Sequence, residues 1–252
     1  MSSVLPDAQT GIELWADRVV CWFLRHGVTV ILFAMMVWVT LPFLAPVAFH
    51  LGFASGGKVI HLFYAPFCHQ LPQRSWFLFG PQLTYTMTEI TEVGGGLDTG
   101  QLKFFYGSPE MGWKVAWRDR MISFYFMLPV FGIIFAITLW VGLRIPPIPA
   151  RLLLVLLIPL TVDGITHMIS DTFFGISTGG FRDTNSWLAL ITGNRFPSFY
   201  VGDHVGTFNW WARLLTGMLA AFGLAFFTFP HLDKLLMEEE RRTCNPRDLR
   251  QT

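Results

Sequence analysis

The sequence predicts an all-α, polytopic integral membrane protein: a bundle of about four transmembrane helices, with interfacial helices on the non-cytoplasmic side. Three observations predict it. Of 252 residues, 52% are hydrophobic and only 14% charged, with 25 Phe and 10 Trp, a balance soluble domains rarely show. Apolar runs of about 20 residues, long enough to cross a hydrocarbon core of about 30 Å, occur four times. Two long segments richer in polar residues separate the first run from the second and the third from the fourth.

The predicted spans are Val28–Phe53, Met121–Leu143, Leu152–Phe174 and Asn209–Phe229. Val59–Gly80 is also apolar, but Pro66, Pro72, His61, His69 and Arg74 interrupt it, and it reads as an interfacial or re-entrant segment. The chain thus divides into an N-terminal segment 1–27, a transmembrane domain 28–230 with long loops 54–120 and 175–208, and a charged tail 231–252. Asp7, Glu13 and Asp17 precede the first run, so the N-terminus is not expected to be a cleavable signal peptide. Thr10 and Glu13 have capping-box spacing, and Ile12, Trp15, Val19, Trp22 and Phe23 recur near helical spacing. The segment is either an amphipathic helix on the membrane surface or an extension of the first span.

Lys and Arg in short segments beside the spans set orientation. Arg18, Arg25, the connection Arg144–Arg151 and the tail from Lys234 to Arg250 place both termini on the cytoplasmic side of the membrane. Loops 54–120 and 175–208 then face the other side, gathering sequence-distant polar residues at one end of the bundle.

The third span shows this best. Asp163, His167 and Asp171 are four residues apart and share one helical face. Asp163 follows Arg151 by twelve residues, a depth of roughly 18 Å. An ionisable group there costs roughly 2.5 to 3.5 kcal/mol unless it finds a partner away from lipid. Asn209 and Arg213, four apart on the fourth span, are the expected partners, with Arg213 pairing to Asp163 or Asp171. Arg118, Asp119, Arg120 and Arg74 extend this to a buried charge network, and Gly217 and Ala221 permit close helix approach. The candidate polar pocket is Cys68, His69, Gln70, Arg74, Arg118, Arg120, Asp163, His167, Asp171, Asn209 and Arg213. The alternative is ion pairing that only fixes helix register.

The segment FYAPFCHQLPQRSWFLFG, Phe63 to Gly80, resembles the signature of an uncharacterised prokaryotic family of predicted membrane proteins, domain of unknown function number two thousand and eighty-five. In that family Cys-His-Gln is followed by Pro-x-Arg-Ser. GWKVAWRDR at Gly112–Arg120, VDGITH at Val162–His167 and NWWARLLTG at Asn209–Gly217 agree with the resemblance, which covers most of the chain from Phe63 onward. Family members commonly carry a further Cys where this chain has Arg118, so a family disulfide or thiolate site is not expected here in the same form. The resemblance implies no activity.

Cys68, His69, Asp163 and His167 are competent ligands for zinc, copper, iron or haem, but their spacing matches no known metal motif. The bland reading makes Cys68 a small core hydrophobe and His69 a loop hydrogen-bonder. Cys21, Cys68 and Cys244 lie far apart, and no disulfide framework is expected. A net charge of +1 offers no basic face for nucleic acid. Nucleotide-binding glycine loops, GxSxG and HExxH are missing from the sequence, and Thr86–Gly112 with Gly94, Gly95 and Gly96 reads as a flexible surface loop. His204 beside Asp203, and His50, read as loop or interface residues. NSWLALITG at Asn185–Gly193 echoes NWWARLLTG and suggests a second, interfacial helix before the fourth span.

The preferred function is an outward-facing pocket that binds a small anionic ligand such as a lipid headgroup, because guanidinium grips phosphate or carboxylate through paired hydrogen bonds. Asp163 or His167 would serve as general base if the protein is an enzyme. The alternatives are an accessory subunit packed against other membrane proteins, a metal- or haem-binding membrane enzyme, and a transporter or channel. The last ranks lowest because the cytoplasmic halves of the spans are almost purely apolar.

Overall fold

The computed structural model describes residues 11–95, 100–177 and 179–244. Thr10 lies outside them, and with it the proposed capping box at the N-terminus. Four helical segments are long and apolar enough to cross a membrane: Trp15–His50, Asp119–Trp140, Ala150–Phe174 and Phe208–Thr243. The first comprises α1 (Gly11–Thr40), a 3-10 turn at Leu41–Phe43 and α2 (Leu44–His50). Because α1 runs unbroken from Gly11, residues 11–27 continue the first long helix rather than forming a separate one.

The first loop is more ordered than its composition suggested. It holds α3 (Ala54–Tyr64), β1 (Ser75–Leu78), α4 (Met87–Gly94), β2 (Gly107–Ser108) and β3 (Gly112–Arg118). The three strands form an antiparallel sheet in the order β1-β3-β2, so the fold is mostly helical but not all-α. Within Thr86–Gly112, expected as a flexible loop, the described residues form α4 and β2, while residues 96–99, Gly96 among them, lie outside the described residues. Thr86 and Glu89 close a reciprocal capping box that starts α4, which satisfies two otherwise orphan N–H groups. Gly112, at φ +83, lets the strand pass where a Cβ would stand 2.5 Å from the Leu78 carbonyl oxygen.

The second span begins as a single turn, α5 (Asp119–Met121), passes through a π-helical turn at Ile122–Phe126 and continues as α6 (Met127–Trp140). The third is α7 (Ala150–Phe174). Short helices α8 (Phe181–Thr184), α9 (Ser186–Ile191) and α10 (Pro197–Tyr200) cross the second loop, and α11 (Phe208–Thr243) is the fourth span. The helix α9 falls where the NSWLALITG echo suggested one. With 36 residues, α11 is about 54 Å long, so much of the expected tail is helix.

Two apolar clusters hold the bundle. Leu32, Phe135, Ala225, Phe226 and Phe229 join spans one, two and four. Ala45, Tyr64, Cys68, Val115, Trp117 and Ile122 bind the sheet and α3 to the top of the first and second spans. Gly217 performs as its spacing predicted: a Cβ there would stand 2.1 Å from the Ser123 hydroxyl oxygen, so only glycine allows α11 to press on the π-helical turn. At the other end Cys21 and Cys244, separated by 223 residues, form a disulfide, and Arg25 Nε donates to Glu240 at 2.9 Å. This overturns the expectation of no disulfide. Sequence distance concealed the pair, and antiparallel packing of α1 and α11 creates it.

Candidate functional site

At the end of the bundle away from both termini, the sheet register builds the site. Ser75 pairs with Arg118 across β1 and β3, which sets Arg74 beside the Arg118-Asp119-Arg120 corner where β3 becomes the second span. The tops of α7 and α11 close the opposite side with Asp163, His167, Asp171, Asn209 and Arg213.

Four arginines and four aspartates interlock here. Arg74 grips Asp171 with both terminal nitrogens, at 2.6 and 2.9 Å, and donates from Nε to Asp203 at 2.7 Å. Arg213 donates from Nε to Asp119 at 2.6 Å and from Nη1 to the other Asp203 oxygen at 2.5 Å. Asp163 accepts from Arg182 at 2.6 Å and from Arg120 at 2.7 Å. Asp163 and Arg213 are buried at 5% and 2% exposure, as membrane energetics demanded, but they do not pair with each other. The expected Arg213 pairing with Asp163 or Asp171 is therefore corrected: Asp203 and Asp119 lie closer to Arg213, and Arg182 takes its place at Asp163.

Burial alone would raise the Asp203 carboxyl, but Arg74 and Arg213 outweigh it and hold it below the usual carboxylate range. For Arg74, burial works to lower the guanidinium, and Asp203 and Asp171 overcome it, so its charge is secured. Asp203 is the hinge of the network, and reading it as a loop residue beside His204 missed this. Arg182 was also missed. The available signal was charge balance, since Asp119, Asp163 and Asp171 on the spans outnumber Arg120 and Arg213 there.

The second loop is tied down through amides. Asn209 Nδ2 donates to the backbone oxygens of Arg182 and Gly202 at 2.5 and 3.1 Å. Asn185 Nδ2 donates to the backbone oxygens of Arg182 and Tyr200, both at 2.8 Å. Asn209 thus positions Arg182 rather than facing a ligand.

A cavity of about 390 Å³ opens between the β3 corner and α7, lined by His69, Arg74, Arg118, Arg120, His167 and Asp171 among others. Six of the eleven candidate residues meet there. Three lining side chains carry an N–H or ring nitrogen with no partner: Arg118 Nε, Arg120 Nε and His167 Nδ1. His167 Nε2 lies 3.0 Å from Arg182 Nη2; because a guanidinium can only donate, Nε2 accepts and the ring proton belongs to Nδ1. All three are thus donors. Arg118, half-buried, makes no ion pair among the described residues.

Cys68 and Gln70 fall outside this cavity. Cys68, 3% exposed, packs in the apolar cluster with Tyr64 and Trp117, and with His61, His69 and Gln70 it lines a separate cavity of about 280 Å³. Gln70 Oε1 lies 2.6 Å from His61 Nδ1, and Gln70 Nε2 donates to the His61 backbone oxygen at 2.8 Å. Burial, then the charge of Lys114, pushes His61 down to about 4. Lys114 is fully buried, without a carboxylate partner among the described residues. It donates to the backbone oxygens of Gln70 and Lys103 at 2.9 and 3.1 Å, and burial pushes it down to about 7.

The metal set Cys68, His69, Asp163 and His167 is corrected too. No group of three or more His, Cys, Asp or Glu among the described residues could hold a metal ion. Cys68 sits in the neighbouring cavity, and both oxygens of Asp163 are occupied by guanidiniums. Each Asp163 oxygen thus accepts from a guanidinium, and His167 Nε2 accepts from Arg182.

Comparison with protein-family models, curated proteins and solved structures finds no match for this chain.

Proposed function

We propose that this chain is a multi-pass membrane protein of the cell membrane whose donor-lined cavity binds an anionic headgroup. One observation carries the reading: unpartnered donors of Arg118, Arg120 and His167 belong to one cavity, and the Arg118 guanidinium has no carboxylate partner among the described residues. A buried donor without an acceptor costs about 1 to 3 kcal/mol, and an anion supplying oxygens to all three relieves that cost. Arg118 stands where relatives of the resembled family commonly carry Cys. Membership of that family is part of the proposal, supported by the Phe63–Gly80 signature, whose Arg74 reaches the cavity.

The cavity favours a lipid over a free ion because it opens beside Met168, 62% exposed on the outer face of α7. Ile165 and Ile169 on the same helix are 47% and 40% exposed. Acyl chains can lie along this surface while the phosphate enters sideways. Binding is expected to need no general base, so the reading is of a lipid-binding protein rather than a hydrolase.

Arg118→Gln is expected to weaken binding of phosphatidylglycerol in mixed micelles by about tenfold or more, a charge-assisted pair being worth about 1.5 to 3 kcal/mol. Thermal stability should stay at the wild-type value, since Arg118 holds no ion pair in the fold. Native mass spectrometry of retained lipid reads the first, and a melting curve the second. Inorganic phosphate competing as well as the lipid would assign the site to a free anion; equal lipid retention by the variant would end the proposal.

Orientation follows from the Lys and Arg distribution: termini in the cytoplasm and cavity on the far side. The cytoplasmic thiol pool keeps cysteines reduced, so on this orientation Cys21 and Cys244 close only under oxidation. Alkylation during rapid lysis should modify both in unstressed cells. Protection of both would put the termini on the oxidising side and the cavity in the cytoplasm.

A further inference from the structure

A second cavity, of about 340 Å³, lies behind the first, and Gln73 lines it. The Arg74–Asp203 ion pair stands between the two: Arg74 lines the anion cavity, while Asp203 lines this one. Gln73 is 2% exposed, yet among the described residues neither its side-chain oxygen nor its nitrogen has a partner. At this end of the molecule the amide nitrogens of Asn209 and Asn185 are both bonded, through five hydrogen bonds. Leaving both atoms of a buried amide unpaired carries the desolvation cost of each.

The chemistry of the walls narrows the ligand. No Lys or Arg lines this cavity, whereas Asp183 and Asp203 do, so a carboxylate or phosphate would meet like charge. Burial, then the field of Asp203, raises the Asp183 carboxyl, and its Oδ2 accepts from the Gly179 and Gly180 amides at 3.3 and 3.1 Å. Two further wall groups matter: His204, whose Nδ1 is also unpartnered, and the apolar side chains of Met87 and Val201. A neutral, flat group with a donor beside an acceptor matches the free edge of Gln73, because two amides pair reciprocally through N–H to C=O bonds.

We infer that this cavity is a binding site for a neutral small molecule bearing an amide or imide edge, held by the Gln73 side chain. It is separate from the anion cavity and does not depend on it. The volume suits a small organic molecule, since ligand pockets run from about 300 Å³ upward.

Nicotinamide, nicotinate and methyl nicotinate share one ring and differ in the group under test: donor with acceptor, anion, and acceptor alone. Saturation-transfer NMR titration of the full-length protein in uncharged detergent, with empty micelles as control, compares them. Nicotinamide should bind about tenfold or more tighter than either analogue, one good hydrogen bond being worth about that factor. Gln73→Leu should lose the nicotinamide preference while melting at a higher temperature, because it removes an unsatisfied buried amide. Retention of phosphatidylglycerol should be unchanged in that variant, which keeps this site's failure distinguishable from failure of the anion cavity. Equal binding of the three rings to the wild-type protein, or undiminished nicotinamide preference in Gln73→Leu, overturns the inference. The wild-type comparison stands alone if the variant does not fold.

Discussion

Asp203→Ala is expected to destabilise the folded protein by about 3 to 5 kcal/mol, the cost of stripping a partner from buried charge. Its two oxygens receive Arg74 and Arg213, at 2.7 and 2.5 Å, and its side chain is 4% exposed. Arg213 also donates from Nη2 to the Asp203 backbone oxygen at 2.7 Å, which pins the second loop to the fourth span. Removing the carboxylate therefore leaves two guanidiniums short of an acceptor and unties β1 from α11 together. Asp203→Asn retains one acceptor oxygen and should lose less. Unfolding in a denaturing detergent titration orders the three proteins, and wild-type behaviour of Asp203→Ala would show that the network does not hold this end closed. The pH sign follows from the depressed carboxyl: its contribution is complete above the unfolded value of about 3.9 and fades only as acid passes below that. Stability from this source should therefore be flat from neutral pH down to about 4.

Lys114→Met is expected to abolish a rise in stability with alkali. The amine falls from 10.5 unfolded to about 7 when buried between backbone oxygens. Below pH 7 both states carry the proton and the folded chain bears the full penalty of a buried ammonium. Between pH 7 and 10.5 the unfolded chain binds more protons than the folded one, so stability climbs with pH. At about 1.4 kcal/mol per unit the swing across that window is several kcal/mol. Melting temperatures of wild-type and variant protein from pH 6 to 10 measure it, and parallel curves would show that Lys114 keeps an ordinary affinity for its proton. His61 acts in the same direction lower down, adding stability as pH rises from about 4 toward 6.5.

The four spans were legible because hydropathy is a sum over about 20 neighbours, and that sum survives ignorance of the fold. Burial of Asp163, His167 and Arg213 was legible for a related reason: a charge on an apolar helix is expected to turn inward wherever its partner lies. The choice of partner was not. Arg213 was matched with Asp163 or Asp171, whereas the structure gives it Asp119 and the loop residue Asp203, and Arg182 reaches Asp163 from α8 after the third span. The sheet escaped notice because β1 and β2 are short, and β1 is embedded in a proline-broken apolar run. Cys68 and Gln70 were grouped with the arginines in one candidate pocket, but the structure places them in the cavity of His61.

From composition and spacing alone follow four helices long and apolar enough to cross a membrane, which of their charged residues need partners away from lipid, and which end of the bundle collects them. Only the tertiary structure decided that Arg74, Asp171, Arg213 and Asp119 pair through the loop aspartate Asp203, that Arg118 has no counter-ion among the described residues beside an open cavity, and that Cys21 meets Cys244. The physical reason is one of range. Transfer into hydrocarbon is a property of each residue and its immediate neighbours, while a hydrogen bond is set within a few tenths of an ångström by strands and helices far apart in the chain.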